Sequence, residues 1–423
     1  ASLSLASAAS VPARCSSMAF IYSAFVQKAL GSSDSAVSLE CFSANPAGKA
    51  GIGPITLVDS SPLAVHIAGE MKGFEPGNYM DFKESRRRDR FIQAAVAAAR
   101  MAIDQADLKI TPDNSDEIGC FVGTAVGGLT TYYEAVLTLT SGGPRKLPPF
   151  SIPSTICDGA SSAISIDWGI HGPNFSPVSA CSAGADAIGL AYQSIRLGQC
   201  QAIIAGGSEV PIMIVGMAAF DRLGAMSHNN DQPTEACKPF DKNRDGLVMG
   251  EGAGIVILED LEYALARGAQ PLAELIGYGS TSDAFHVTAP AENGAGAARA
   301  MKLALKDASL QPADIDWLSA HATATSLNDK YESMAIKSVF GDHAYKLPIS
   351  GTKSMTGHMM GATGAVELIL GIKAIECGVV PPTINLTTPD PECDLDYVPN
   401  VARAVKVDTF MSNAFGFGGH NSV

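Results

Sequence analysis

The chain has 423 residues, 46% of them hydrophobic and 17% charged, a balance that excludes a disordered or fibrous polymer. That length leaves room for one large layered domain or about two to three ordinary ones. A formal charge of −14 excludes a protein that wraps nucleic acid, and the longest apolar stretches, 19–26 and 365–375, are too short or too interrupted to span a bilayer. Nine scattered cysteines, with no CxxC pair and no zinc-type spacing, fit a reducing compartment better than a secreted disulfide scaffold.

Residues 1–33 are nearly free of charge and rich in Ser and Ala, with Arg14 and Lys28 as basic residues. This composition suits a plastid or mitochondrial transit segment; the plainer reading is a variable N-terminus. From about Gly51 a regular pattern begins. Apolar recurrence predicts a helix over 90–108, a buried strand over 118–124 and a helix over 186–197 that Gly198 stops. Continuous apolar runs predict strands over 201–207 and 254–258, and a short helix over 262–267 stops at Gly268. The second half repeats the alternation: helix 296–308, strand 315–320, helix 329–340, strand 347–350, helix 362–378, strand 410–413. Buried strands alternating with helices of this length imply an α/β architecture whose sheets are covered on both faces.

Several motifs invite a function and fail on spacing. The run from Asp241 through Asn243, Asp245 and Gly246 opens like a calcium loop. The twelfth position, which must supply a bidentate carboxylate, is Gly252, so a tight salt-linked turn is the better reading. The glycines at 123–128 lack the spacing and acidic residue of a dinucleotide loop, and Lys353 in Gly351-Thr-Lys-Ser lacks the neighbours of a phosphate loop.

Cys181 is different. It lies between an extended segment and a helix, with small residues on both sides, in Ser179-Ala-Cys-Ser-Ala-Gly184. A helix N-terminus favours thiolate, and small neighbours leave room for an acyl group and for backbone N–H groups facing an oxyanion. Cys120, Cys200 and Cys377 sit in apolar or element-end contexts and read as filler. His321 and His358 each follow a predicted strand, where α/β folds gather chemistry, although a satisfied structural histidine is the plainer reading of either alone. The segment 413–421 is a glycine-rich loop with two phenylalanines, either an ordinary turn or a mobile gate with free N–H donors.

Together these segments resemble the elongating β-ketoacyl-[acyl carrier protein] synthases. The likeness runs through Ser179–Gly184, the Lys-Pro-Phe-Asp-Lys-Asn-Arg-Asp-Gly run of 238–254, His321-Ala-Thr, Thr352-Lys-Ser-Met-Thr-Gly-His358 and Gly416-Phe-Gly-Gly419, and covers roughly residues 51–423. The resemblance implies a thiolase-like α/β fold of two similar halves, each with a five-stranded mixed sheet layered between helices, usually as a homodimer. On it, residues 1–50 are a divergent or transit-like region, 51–268 the half carrying the nucleophile, and 269–423 the half carrying the two histidines.

The resemblance makes Cys181 the acyl-accepting nucleophile, with His321 and His358 holding the malonyl thioester carbonyl and supporting decarboxylation. Lys353 matches the active-site lysine and Glu367 its acidic partner. Phe417 matches the gating phenylalanine, its N–H and that of Cys181 forming an oxyanion hole, with Phe415 and Asn421 as supports. Val126 matches a position lining the acyl pocket. Lys83, Arg86, Arg87 and Arg90 match the region that docks the acidic acyl carrier protein; a solvated helix face is the plainer reading. The implied reaction needs no cofactor and no metal, and its partners are acyl- and malonyl-loaded carrier protein.

Departures accompany the likeness. The family's N-terminal strand, with its Thr-Gly-Leu-Gly-like segment, is not recognisable in 1–50, and Val423 falls within what should become the last strand. Ser182-Ala183 inverts a common order, and Gly224 stands where arginine is usual. Ala322 and His420 replace residues common in bacterial members, as in plant-type relatives, which favours a plastid setting over a cytoplasmic or mitochondrial one. Three other functions compete: a polyketide-type ketosynthase, a non-condensing partner subunit, against which Cys181 and both histidines argue, and a degradative thiolase, whose second cysteine is missing from 416–421.

Overall fold

The computed structural model describes residues 19–26 and 48–423. The transit-like reading of 1–33 and the divergent-region reading of 1–50 lie outside the described residues except at 19–26 and 48–50. At 19–26 the structure supplies the strand that no sequence motif announced.

Strands β1 (Ala19–Val26), β2 (Ile118–Gly123), β3 (Asn174–Phe175), β4 (Ala202–Glu209), β5 (Gly252–Asp260) and β6 (Ala273–Leu275) form one sheet in the order β3-β2-β4-β5-β1-β6. β2 runs parallel to β3 and β4, whereas β4, β5, β1 and β6 pair antiparallel. Every residue of β2 and β4 is buried, which explains their continuous apolar runs: a strand covered on both faces has no solvent side to alternate toward.

The second sheet layer is assembled from β7 (Ser280–Ser282), β8 (Trp317–Ser319), β9 (Ile349–Ser350), β10 (Phe410–Ser412), β11 (Ala414–Gly416) and β12 (His420–Ser422). β8 lies parallel between β9 and β10. The chain passes through Asn413 from β10 into β11, which pairs antiparallel with β12, and β12 with β7. The strands thus form two three-stranded sheets, β9-β8-β10 and β11-β12-β7, joined through Asn413, where the resemblance implied one mixed five-stranded sheet. The first sheet carries one strand more, because β6 from beyond residue 269 joins its edge.

Helices fill the layers. On the outer face of the first sheet lies α1 (Arg90–Ala106), N-capped by Asp89, whose carboxylate accepts the Phe91 N–H at 3.1 Å. Its buried stripe, including Phe91, Ile92, Val96 and Ile103, packs on Val122, Ile204 and Ile255. Helix α2 (Leu129–Gly142) buries no residue in the single chain. Between the sheets lie α3 (Ala183–Arg196) and, after α4 (Ala295–Ala308) and α5 (Ser326–Phe340) on the far side, α6 (Thr363–Cys377). Ile188 and Tyr192 of α3 meet Val366 and Ile369 of α6 against Phe121 and Val256. Met301 of α4 and Ile336 of α5 cover Leu318 and Ile349. The order is therefore helix, sheet, helices, sheet, helices, and the central layer delivers the functional side chains. No helix among the described residues is long and apolar enough to cross a membrane.

Candidate active site

The first group comes from the turn into α3. Ala180 has φ 51, a left-handed conformation costly for a residue with a Cβ, and the one-turn helix Ala180–Ser182 then runs into α3. The turn is pinned from below: Ser179 Oγ donates a short hydrogen bond to Asp186, which also accepts from Tyr278 Oη at 2.5 Å. Cys181 is thereby presented at the helix start with only 6% of its surface exposed. Burial pushes its thiol up to about 11, against the opposing influence of Lys353 and of the Phe417 and Cys181 N–H groups that point at Sγ. The helix terminus does not overcome desolvation, so Cys181 rests as a thiol, contrary to the thiolate that its position led us to expect.

His321 follows β8 in a segment where Ala322 and Ala324 both have positive φ, 45 and 64. The strain is held by Glu332 of α5. Its carboxylate accepts the His321 and Ala322 N–H groups, each at 2.8 Å, and the Asn413 amide at 3.0 Å. Burial raises the Glu332 carboxyl above its ordinary value. Sequence reasoning missed Glu332; its place in a helix beginning a few residues after His321 was the available signal.

His358 is fixed through its backbone and its ring. Its N–H donates to Val248 O at 2.7 Å, its carbonyl accepts from Gly250 N–H at 2.8 Å, and Nδ1 lies 3.1 Å from Thr363 Oγ1. Residues 248–250, which lead into β5, follow the acidic turn at 241–246. The Asp241 carboxylate accepts the Asn243, Thr387 and Thr388 N–H groups at 2.6–2.8 Å, and Arg244 pairs with Asp390 at 2.5 Å. The calcium-like run is thus a salt-linked turn that leads into the backbone supporting His358.

The two imidazoles lie 5.3 Å apart, centroid to centroid, edge to face at 85°, and Phe415 lies 5.6 Å from His321. Burial lowers both histidines well below 6.5, reinforced by the Lys353 cation, so both are neutral near pH 7. Lys353 is fully buried and donates to Glu367 Oε1 at 2.8 Å, as does Thr352 Oγ1 at 2.9 Å. Desolvation holds the Glu367 carboxyl above its ordinary value even so.

Cys181, His321, His358, Phe415, Phe417 and Asn421 line one cavity of about 300 Å³. The Phe417 ring stacks on Phe220 at 6.1 Å. Asn421 donates to Asp283 Oδ1 at 2.8 Å and to Gly419 O at 3.2 Å, which holds the glycine-rich turn over the site. Gly224 stands at the cavity wall with φ 67, a conformation that suits glycine and not the arginine usual there.

Two sequence expectations are placed elsewhere. Val126 is 39% exposed and does not line this cavity; its backbone turn is tied to it through Glu209, which accepts the Val126 N–H at 3.3 Å. Arg90 is turned inward, paired with the wholly buried Glu251 at 2.9 Å and lying over Phe74, so it leaves the basic cluster. Lys83 and Arg86 remain exposed, while Arg87 lies over Phe150 and pairs with Glu84 at 3.0 Å. Cys120 and Cys200 are buried filler as expected, but Cys377 is exposed.

A buried thiol facing two neutral imidazoles, with backbone N–H groups converging on its sulfur, defines an acyl-transferring condensing site. The chain belongs to the β-ketoacyl synthase family: residues 47–264 match the model of its N-terminal domain and 272–387 that of its C-terminal domain. It is 49% identical over 374 residues to 3-oxoacyl-[acyl-carrier-protein] synthase 2 of Synechocystis sp., covering 88% of this chain and 90% of that one. The Staphylococcus aureus protein of the same name is 48% identical over 376 residues, covering 89% and 91%. Among solved structures, a β-ketoacyl synthase from Burkholderia phymatum superposes with TM-score 0.87 at 34% identity, over 96% of this chain and 98% of that one. A type II polyketide ketosynthase in complex with its acyl carrier protein does so with TM-score 0.87 at 31% identity and the same coverage.

Proposed function

We infer that the protein is a condensing acyltransferase of fatty-acid elongation, joining an acyl chain on Cys181 to malonyl-[acyl carrier protein] with loss of CO₂. The observation that carries this reading is the convergence of Cys181, His321 and His358 on one cavity. The Cys181 thiol attacks the acyl thioester, the carrier leaves with the proton, and an acyl–sulfur bond replaces S–H. The Phe417 and Cys181 N–H groups hold the tetrahedral oxyanion, a donor pair worth about 3–4 kcal/mol per member.

In the second half-reaction the malonyl carboxylate leaves as CO₂ and its bonding pair becomes an enolate. Neutral histidines suit that step, because a ring N–H can hold the oxyanion without a proton being transferred to it. For His358 this requires the tautomer in which Thr363 Oγ1–H donates to Nδ1 and Nε2 carries the hydrogen. The enolate carbon attacks the acyl carbonyl, the C–S bond breaks, and Cys181 takes up a proton. Burial, reinforced by the Lys353 cation that Glu367 holds in place, keeps both rings unprotonated.

Carrier-protein docking at Lys83, Arg86 and Arg87 is supported by the exposure of Lys83 and Arg86 on a chain of net charge −14. Homodimer formation is supported by apolar side chains that the single chain leaves exposed, among them Val126, Tyr132 and Leu137 of α2, Ile152 and Phe175. A second chain there would convert Val126 from a surface residue into a pocket wall. A plastid location is supported by the composition of 1–33 and by Ala322 and His420.

Intact-protein mass spectrometry tests the reading. Long-chain acyl carrier protein should leave an acyl adduct on Cys181 that disappears on addition of malonyl carrier protein. Cys181→Ala should give no adduct, and His358→Ala should keep acylation while losing condensation. A folded wild-type chain that never acylates would make it a silent partner subunit instead.

A further inference from the structure

Glu209 ends β4, directly beneath the site, and its side chain is wholly buried. Oε1 accepts from the Thr124 hydroxyl at 2.8 Å and the Val126 N–H at 3.3 Å. Oε2 accepts from the Gly361 N–H at 3.2 Å and, in a short bond, from the Ala125 N–H. One carboxylate therefore holds two turns that come from opposite halves of the chain.

The second of these turns is the informative one. Gly361 lies in the one-turn helix Met360–Ala362 that leads into α6, and Met360, at φ 44, lines the cavity beside Cys181 and His358. The first residue of α6 is Thr363, whose hydroxyl lies 3.1 Å from His358 Nδ1. The packing allows little play: a Cβ on Gly361 would stand 2.7 Å from both Ala125 N and Glu209 Oε2. Glu209 is desolvated, with an ordinary glutamate's 4.5 pushed up to about 7, a cost that the fold tolerates here for four donors.

We propose that Glu209 is a positioning residue for the malonyl half-reaction: by fixing the Gly361 N–H it sets the start of α6, and so the Thr363 hydroxyl that orients His358. This rests on the reading in which His358 holds the malonyl thioester carbonyl. Glu209 makes no hydrogen bond to Cys181, His321 or His358 side chains among the described contacts; its charge opposes thiolate at Cys181, so its removal does not disfavour acylation, and its hold on His358 runs through the turn. Acyl transfer to Cys181 uses the Phe417 and Cys181 N–H groups, neither of which the Glu209–Gly361 contact engages.

The test separates the two half-reactions by single-turnover mass spectrometry on the full chain, with acyl and malonyl carrier protein as probes. Glu209→Ala should slow loss of the acyl adduct by about 30-fold or more while changing its formation by less than about 3-fold. Glu209→Gln can keep its amide oxygen on the Ala125 and Gly361 N–H groups with its NH₂ facing Thr124 Oγ1, giving up only the 3.3 Å bond from the Val126 N–H, and should restore condensation to within about 5-fold. If Glu209→Ala fails to fold, Gly361→Ala disturbs the same contact from the other side and should give the same split. An equal fall in both half-reactions, or unchanged condensation in the folded variants, overturns the proposal. Failure of the functional reading shows separately, as a wild-type acyl adduct that malonyl carrier protein does not discharge.

Discussion

His321 and His358 show how burial chooses a protonation state for a task. Both rings are held well below 6.5 by desolvation and by Lys353, so the neutral form persists on acidification. Condensation should accordingly show no acid limb near pH 6.5 in a kcat-against-pH profile, the limb lying further to acid. Stability moves the other way. The unfolded chain takes up protons below 6.5 that these two folded rings refuse, a loss that the raised carboxyls of Glu209, Glu332 and Glu367 oppose; measured against a His321→Asn, His358→Asn variant, the wild-type urea midpoint should therefore decline as pH falls below that value. Cys181, His321, His358 and Lys353 were legible as residues because motif and order marked them. Glu332, Glu209 and Thr363, which hold the site, were not: a buried carboxylate that serves backbone N–H groups has no motif of its own, and for Glu332 the nearness of its helix to His321 was the one signal.

The elements were legible where their burial was uniform. Strands β2, β4 and β5, covered on both faces, announce themselves as apolar runs, and α1 and α6 by their length. The helix expected over 186–197 begins three residues earlier, at Ala183, because the nucleophile turn feeds it without a cap residue. Helix α2 was missed because its apolar residues are not arranged toward a core; none of them is buried in one chain. Close approach of elements also sets limits. A methyl group at Gly123, where β2 ends, would overlap Ala183 O and reach 3.0 Å from Gly184 N. Gly123→Ala should destabilise the protein by about 1–3 kcal/mol, read as a lowered urea midpoint, and should slow acylation by shifting the turn that carries Cys181.

At the scale of the whole molecule, charge sets the encounter. The chain carries −14, so a partner that is itself acidic is repelled everywhere except at local basic ground. With Arg90 committed to Glu251 and Arg87 paired with Glu84, the proposed docking face keeps Lys83 and Arg86 exposed. Reversing Lys83 and Arg86 to glutamate should raise KM for carrier-bound substrate about tenfold, leave kcat within about twofold, and flatten the dependence of KM on salt. An unchanged KM would remove docking from this face.

The sequence by itself determined the family, the alternation of strand and helix, and the candidate reacting side chains, because those depend on local pattern and on motifs a few residues long. Tertiary structure decided the rest. Which basic residues are free, which carboxylates fix the histidine backbones, and that the residues after the calcium-like turn hold His358 all follow from contacts between residues far apart in the chain. Desolvation decided the charge of each group in the site, and it is set by everything packed around that group, a property no short window of sequence contains.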